Sequence, residues 1–116
     1  MTLTPAMITV DTTDATALAD WWVARTGGEV TQQNDGWFVV VQLPSGLMMG
    51  FQKVDDPTPG KNRVHLDFTA GEDLDAEAAA LYEVGATLVG DRSEGNFRWL
   101  TLADPDGNQF CIAGSH

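Results

Sequence analysis

The chain has 116 residues, 43% of them hydrophobic, enough for one soluble domain with a sizeable core. Six Lys and Arg stand against 17 Asp and Glu. The resulting net charge of −11 repels nucleic-acid backbones and anionic lipid surfaces and argues against both as partners. The single cysteine, Cys111, excludes an internal disulfide and any metal cluster made of cysteines alone.

Residues 1–6 carry no basic region and no apolar run, so no secretory signal is expected. No apolar stretch approaches the roughly 20 residues that span a bilayer, and a cytoplasmic location is expected. Ile8 and Val10 alternate with Thr9 and Asp11, which predicts a strand over about 7–11. Asp14 is placed to cap a helix running to about Thr26, with Leu18, Trp21 and Trp22 as its apolar stripe and Gly27-Gly28 as its stop. The two tryptophans on that stripe belong to the core rather than to a site. Residues 29–33 form a short strand, Asn34-Asp35-Gly36 a turn, and 37–42 its hairpin partner. Pro44-Ser45-Gly46 is a second turn before a strand over 47–54.

A Pro- and Gly-containing connector, 55–62, leads to Val64-His65-Leu66-Asp67-Phe68-Thr69, where apolar and polar residues alternate strictly. A helix capped near Asp73 follows, with Leu74, Ala78, Leu81 and Tyr82 as its apolar face and Gly85 at its end. Strands are then predicted over 86–91, 97–103 and 109–113. Residues 93–96 are read as a loop and Asp104-Pro105-Asp106-Gly107-Asn108 as a tight turn with Gly107 at positive φ. The order β-α-β-β-β therefore occurs twice. Ile8-Thr9-Val10-Asp11 lies over Val64-His65-Leu66-Asp67, and Leu43-Pro44-Ser45-Gly46 over Asp104-Pro105-Asp106-Gly107. The two offsets differ, so residues are inserted in the second half, chiefly within 91–96.

These elements predict an α+β fold of two βαβββ modules, about 6–54 and 63–113, within a single domain spanning 1–116. The modules are expected to form a half-open mixed barrel with the helices outside. Strand alternation sends Ile8, Val10, Met49, Phe51, Val64, Leu66, Phe68, Leu100, Leu102, Phe110 and Ile112 toward the helices. It sends Thr9, Asp11, Met48, Gly50, Gln52, His65, Asp67, Trp99, Thr101, Gln109 and Cys111 to the opposite, concave face, where Phe38, Val40 and Gln42 join them by alignment with Trp99 and Thr101. A face mixing aromatic, amide, imidazole and carboxylate groups suits a small-molecule pocket.

Four segments resemble a known family. They are Asp14-x-x-x-Leu18-Ala19-x-Trp21-Trp22, Gly60-Lys61-Asn62-Arg63-Val64-His65-Leu66-Asp67-Phe68, Leu81-x-x-x-Gly85-Ala86-Thr87 and Asp104-Pro105-Asp106-Gly107-Asn108-Gln109-Phe110-Cys111. Together they resemble the glyoxalase-like branch of the vicinal oxygen chelate superfamily, which includes glyoxalase I, the bleomycin-resistance proteins and the extradiol dioxygenases. The resemblance spans nearly the whole chain and implies the fold and a cleft more than a reaction. The superfamily's metal ligands come from its first, fourth, fifth and eighth strands, positions that Thr9, Gly50, His65 and Cys111 occupy here. Gly50 has no side chain and Thr9 is a weak ligand, so no metal or other cofactor is expected; a divalent metal, if bound, would use His65 and Cys111.

The resemblance implies a glyoxalase-like protein that binds a small molecule in its cleft, acting as a lyase or isomerase. The alternative is a non-catalytic drug- or metabolite-binding protein of the bleomycin-resistance kind. A metal-dependent dioxygenase or glyoxalase fits less well, for want of ligands. His65 and Asp67 are the candidate catalytic pair, against the plainer reading of a fixed polar wall. Phe38, Gln52, Trp99, Thr101, Gln109 and Cys111 are the candidate ligand contacts. Asp11 and Asp67 make the wall acidic and favour a cationic or neutral ligand. Lys61, Asn62 and Arg63 either fix the connector by hydrogen bonds to carbonyls or bind an anionic group at the rim. A homodimer is expected, because a half-open sheet leaves strand edges to be covered.

Overall fold

The computed structural model describes residues 5–60, 62 and 65–114. The chain forms two compact units that divide between Pro59 and Gly60. Both are βαβββ modules, as expected.

In unit 1, β1 (Ile8–Thr12) is followed by α1 (Ala15–Thr26), β2 (Glu29–Gln32), a tight turn (Asn34–Gly36) whose three residues all have positive φ, β3 (Phe38–Gln42) and β4 (Met48–Lys53). The sheet order is β1-β4-β3-β2, with β1 parallel to β4 and the other pairs antiparallel. Helix α1 starts where the Asp14 carboxylate accepts the Ala17 N–H at 3.1 Å. It stops at Gly27, whose φ of +74° lets its N–H turn back to the Val23 carbonyl. Leu18, Ala19 and Trp22 are buried, and α1 packs across β3 and β4. Trp21, half-buried, meets Trp22 edge-on, and the Arg25 guanidinium covers the Trp21 ring. Val39, Val41, Met49 and Phe51 complete this core, with Phe51 fully enclosed.

In unit 2, β5 (Leu66–Thr69) is followed by α2 (Leu74–Glu83), β6 (Thr87–Glu94), β7 (Phe97–Ala103) and β8 (Gln109–Ala113). The order β5-β8-β7-β6 repeats that of unit 1, with β5 parallel to β8. Asp73 caps α2 by accepting the Ala76 N–H at 3.0 Å. Of the expected apolar face of α2, Ala78 is buried, Leu74 and Leu81 are half-buried and Tyr82 is exposed. At about 100° per residue, Tyr82 stands about 80° off the direction of Leu74, on the rim of the stripe. Asp75 stands on the same side as Tyr82, and Arg98 of β7 binds both it and Asp91, each at 2.8 Å. Its hydrogen bonds hold both carboxyls below the usual carboxylate range and tie α2, β6 and β7 together.

The internal repeat extends to single hydrogen bonds. The turn after β3 closes with Leu43 N–H to the Leu47 carbonyl and Gly46 N–H to the Leu43 carbonyl. The turn after β7 closes with Asp104 N–H to the Asn108 carbonyl and Gly107 N–H to the Asp104 carbonyl, and Gly46 and Gly107 both have φ near +90°. Each hairpin also carries a β-bulge at an equivalent place, between Val30 and Gln32 in unit 1 and between Leu88 and Gly90 in unit 2.

The second hairpin differs from expectation in its length. Residues 93–96 are not a loop. Strand β6 runs to Glu94, the ladder continues through Ser93↔Arg98 and Glu94↔Phe97, and only Gly95 and Asn96 form the turn. Gly95, with φ +60°, supplies the conformation that such a two-residue turn needs. The inserted residues therefore lengthen a hairpin.

Candidate functional site

Strand β5 runs parallel to β8, and Asp67 pairs with Cys111 across them. β7 lies on the other side of β8, with Thr101 opposite Cys111 and Trp99 opposite Ala113. One sheet face therefore carries Asp67, Cys111, Thr101 and Trp99 side by side. His65, just before β5, joins them, and Gln109 lies one step along β8. These residues line a cavity of about 810 Å³ that is open to solvent and belongs wholly to unit 2. Leu100, Leu102, Phe110 and Ile112, the alternate residues, are buried, as the period-two pattern requires. Val64, Lys61 and Arg63 lie outside the described residues.

The chain just upstream of β5 is held by Asn62. Its side-chain amide donates to the Gln109 carbonyl at 3.2 Å and accepts the Gln109 N–H at 2.9 Å, so it pairs with β8 as a peptide group would. Of the two roles open to Asn62, fixing the connector is the one the structure displays. At the other end of the site, Asp104 is buried at 3% exposure. Its carboxylate accepts the Asp106 and Asn108 N–H groups at 3.0 and 2.9 Å and the Asn108 amide at 3.2 Å, setting the turn that delivers β8.

Within the cavity, His65 Nδ1 lies 2.8 Å from Asp67 Oδ1, both side chains being accessible. With Nδ1–H donated to the carboxylate, Nε2 keeps its lone pair and can accept a proton. Thr101 and Cys111, both buried, touch through Oγ1 and Sγ at 3.5 Å. Gln109 Oε1 is buried with no hydrogen-bond partner among the described residues, leaving one acceptor of the wall unused. Phe97 and Trp99 stack with centroids 5.6 Å apart and planes 30° apart, giving the cavity an aromatic wall.

Arg92 and Phe97 line the cavity as well, and sequence reasoning missed both. Each stands on the lengthened hairpin. Arg92 Nε donates to Thr101 Oγ1 at 3.1 Å. The glycine-containing turn Glu94-Gly95-Asn96-Phe97 was the signal that could have revealed the hairpin. Phe38 and Gln52, by contrast, are neighbours in unit 1, opposite one another on β3 and β4.

Two of the superfamily's four metal-ligand positions, Thr9 and Gly50, are register partners in unit 1. A Cβ on Gly50 would stand 2.9 Å from both Phe38 Cζ and Met7 Sδ, so a ligating side chain there would have to displace them. Unit 2 is different. Ligand atoms of His65, Asp67 and Cys111 all lie within 4.8 Å of one another. One nitrogen, one oxygen and one sulfur suit a divalent transition metal, and these three residues would hold it. Asp67 thus adds a third donor to the His65 and Cys111 expected from the sequence.

A family model described as a glyoxalase-like domain matches residues 7–113. No curated protein gives a significant match, whereas solved structures do. The fosfomycin resistance protein FosX from Listeria monocytogenes aligns with 14% identity over 100% of this chain and 94% of that one, with a TM-score of 0.80. A second FosX structure, complexed with Mn(II) and sulfate, aligns with 15% identity over 100% and 93%, also at 0.80. ATC0852 from Agrobacterium tumefaciens aligns with 17% identity over 99% of both chains, at 0.78. An oxidase, ChaP-H2, aligns with 22% identity over 100% and 96%, at 0.71. At such identities the likeness is one of fold.

Proposed function

We propose that this chain, which belongs to the glyoxalase-like domain family of the vicinal oxygen chelate superfamily, binds a small organic molecule in the cavity of unit 2 and moves a proton on it. The observation that carries the reading is the His65–Asp67 pair, hydrogen-bonded at 2.8 Å beside an aromatic wall. Asp67 orients the imidazole, Nε2 takes or returns the proton, and Phe97 and Trp99 hold the ligand flat. Removal and return of a proton is a step that lyases and isomerases commonly ask of a side chain. His65, Asp67 and Cys111 could also hold a divalent metal, which would supply Lewis-acid polarisation when bound.

The second reading is a binding protein without chemistry, and the stacked Phe97 and Trp99 favour it, since an aromatic wall can hold an aromatic ligand without any catalysis. A small-molecule screen read from the Trp99 indole N–H signal tests both readings. Ligands should shift that signal. Trp99→Ala should weaken binding roughly two- to tenfold, the value of about 0.5–1.5 kcal/mol for an aromatic contact. His65→Ala should abolish turnover and preserve binding if the protein is an enzyme. Retention of turnover in His65→Ala would remove the acid–base role, and ligands that shift only signals outside the cavity would remove the site.

The same reading includes a homodimer in the cytoplasm. Strand β6 ends its sheet and exposes Leu88 and Val89, the kind of apolar edge that a second copy covers. Light scattering should then give twice the 12.5 kDa chain mass at micromolar concentration. A particle of one chain mass would refute it. Among the described residues no helix is long and apolar enough to cross a membrane.

A further inference from the structure

We infer that the unit 2 cavity takes the carboxylate of a small planar organic acid, gripped by Arg92. The inference rests on the reading of this cavity as a ligand site and reverses the charge preference expected from Asp11 and Asp67. Asp11 belongs to unit 1, and Asp67 is engaged by His65.

Three features aim Arg92. The first is the bulge between Leu88 and Gly90. Without it, strict alternation would set Asp91 opposite Trp99; with it, Gly90 faces Thr101 and Arg92 faces Trp99. A one-residue slip moves every later side chain to the other face, so the bulge turns Arg92 into the cavity. The second is Gly90. A Cβ there would stand 2.9 Å from Arg92 Cζ and 3.0 Å from one of its terminal nitrogens. The guanidinium lies across the space that only glycine leaves open. The third is Thr101, whose buried hydroxyl accepts Nε at 3.1 Å and fixes the plane of the group.

Among the described side chains, Arg92 meets no anion. Of the arginines among the described residues, Arg25 lies over Trp21 and Arg98 binds Asp75 and Asp91. Arg92 makes no ion pair among the described residues, in a chain with 17 carboxylates. Its Nε is held by Thr101, and the terminal nitrogens keep the paired N–H groups that match the two oxygens of a carboxylate. Trp99, its cross-strand partner, begins the aromatic Phe97–Trp99 wall. A carboxylate on the fork places an attached planar body along that wall. The chain's overall negative charge opposes this only weakly, because exposed charges beyond about 8 Å are screened at physiological ionic strength.

Benzoate, benzamide and benzamidine test the inference, being one ring bearing an anionic, a neutral and a cationic group. In ¹H–¹⁵N spectra of the labelled protein, benzoate should shift both the Arg92 Nε–H and the Trp99 indole N–H signals. Its affinity should exceed that of benzamide on the order of tenfold, as expected for a charge-assisted pair, and benzamidine should bind more weakly than either. Arg92→Gln should remove the preference for benzoate and leave benzamide unchanged. Gly90→Ala should cut benzoate affinity alone by displacing the guanidinium. If benzamide or benzamidine equals benzoate while shifting Trp99, the carboxylate inference is overturned and the cavity stands. If benzoate binding survives Arg92→Gln, the residue is misassigned. If none of the three probes shifts Trp99, both the inference and the ligand site are lost.

Discussion

Asp104→Ala should destabilise the protein by about 2–4 kcal/mol, since it leaves at least two backbone N–H groups of a tight turn without their acceptor. The carboxylate is almost fully enclosed and receives the Asp106 and Asn108 N–H groups and the Asn108 amide. Asp104→Asn keeps a carbonyl oxygen for the two N–H groups and should cost clearly less. The two variants thus separate loss of the acceptor from loss of the charge. Urea titration of both against the parent chain measures the effect. Because the turn delivers β8, Asp104→Ala should also shift the signals of Gln109 and Cys111 in the folded protein. A change of under about 0.5 kcal/mol, the range of ordinary surface substitutions, would show that the turn forms without its carboxylate.

Phe51→Ala should cost about 3–5 kcal/mol, the range for emptying an aromatic site in a closed core. Phe51 has no exposed surface, pairs with Val10 on one side and Val39 on the other, and lies on the face that α1 covers. Phe51→Leu fills most of the same space and should cost much less. A chain of this size commonly has about 6–17 kcal/mol of total stability, so the alanine variant should melt well below the parent. A small loss would mean that the core of unit 1 collapses onto the vacancy, and a crystal structure of the variant would show Met49 or Trp22 moved into it.

The elements were legible in the sequence because their signals are local. Asp14 and Asp73 each precede a helix and each accept an N–H three residues on. Gly27 and Gly107 stand where φ is positive. The repeat was legible through Pro44-Ser45-Gly46 and Pro105-Asp106-Gly107, whose turns share the same backbone hydrogen bonds. Most of the candidate site was legible too. Strict alternation in β5, β7 and β8 assigns Asp67, Trp99, Thr101 and Cys111 to one face, and the cavity contains all four together with His65 and Gln109. Gln52 was assigned to the same cleft by alternation and Phe38 by alignment with Trp99; both belong to unit 1, and neither kind of reasoning carries information on contacts between modules.

Arg92 is where the sequence by itself stopped. Reading 93–96 as a loop ended β6 early, and unbroken alternation would have put Arg92 on the other face. The extension and the bulge both come from pairing with β7, an interaction between residues distant in the chain that no local pattern records. The approach of His65 and Asp67 to Cys111 has the same origin, since parallel pairing of β5 with β8 joins segments more than 40 residues apart. The sequence by itself determined the order of elements, their caps and the polar face of unit 2, all set by spacing along one strand or helix. Only the tertiary structure decided which cation reaches that face, because a one-residue slip between paired strands reverses the direction of every side chain beyond it.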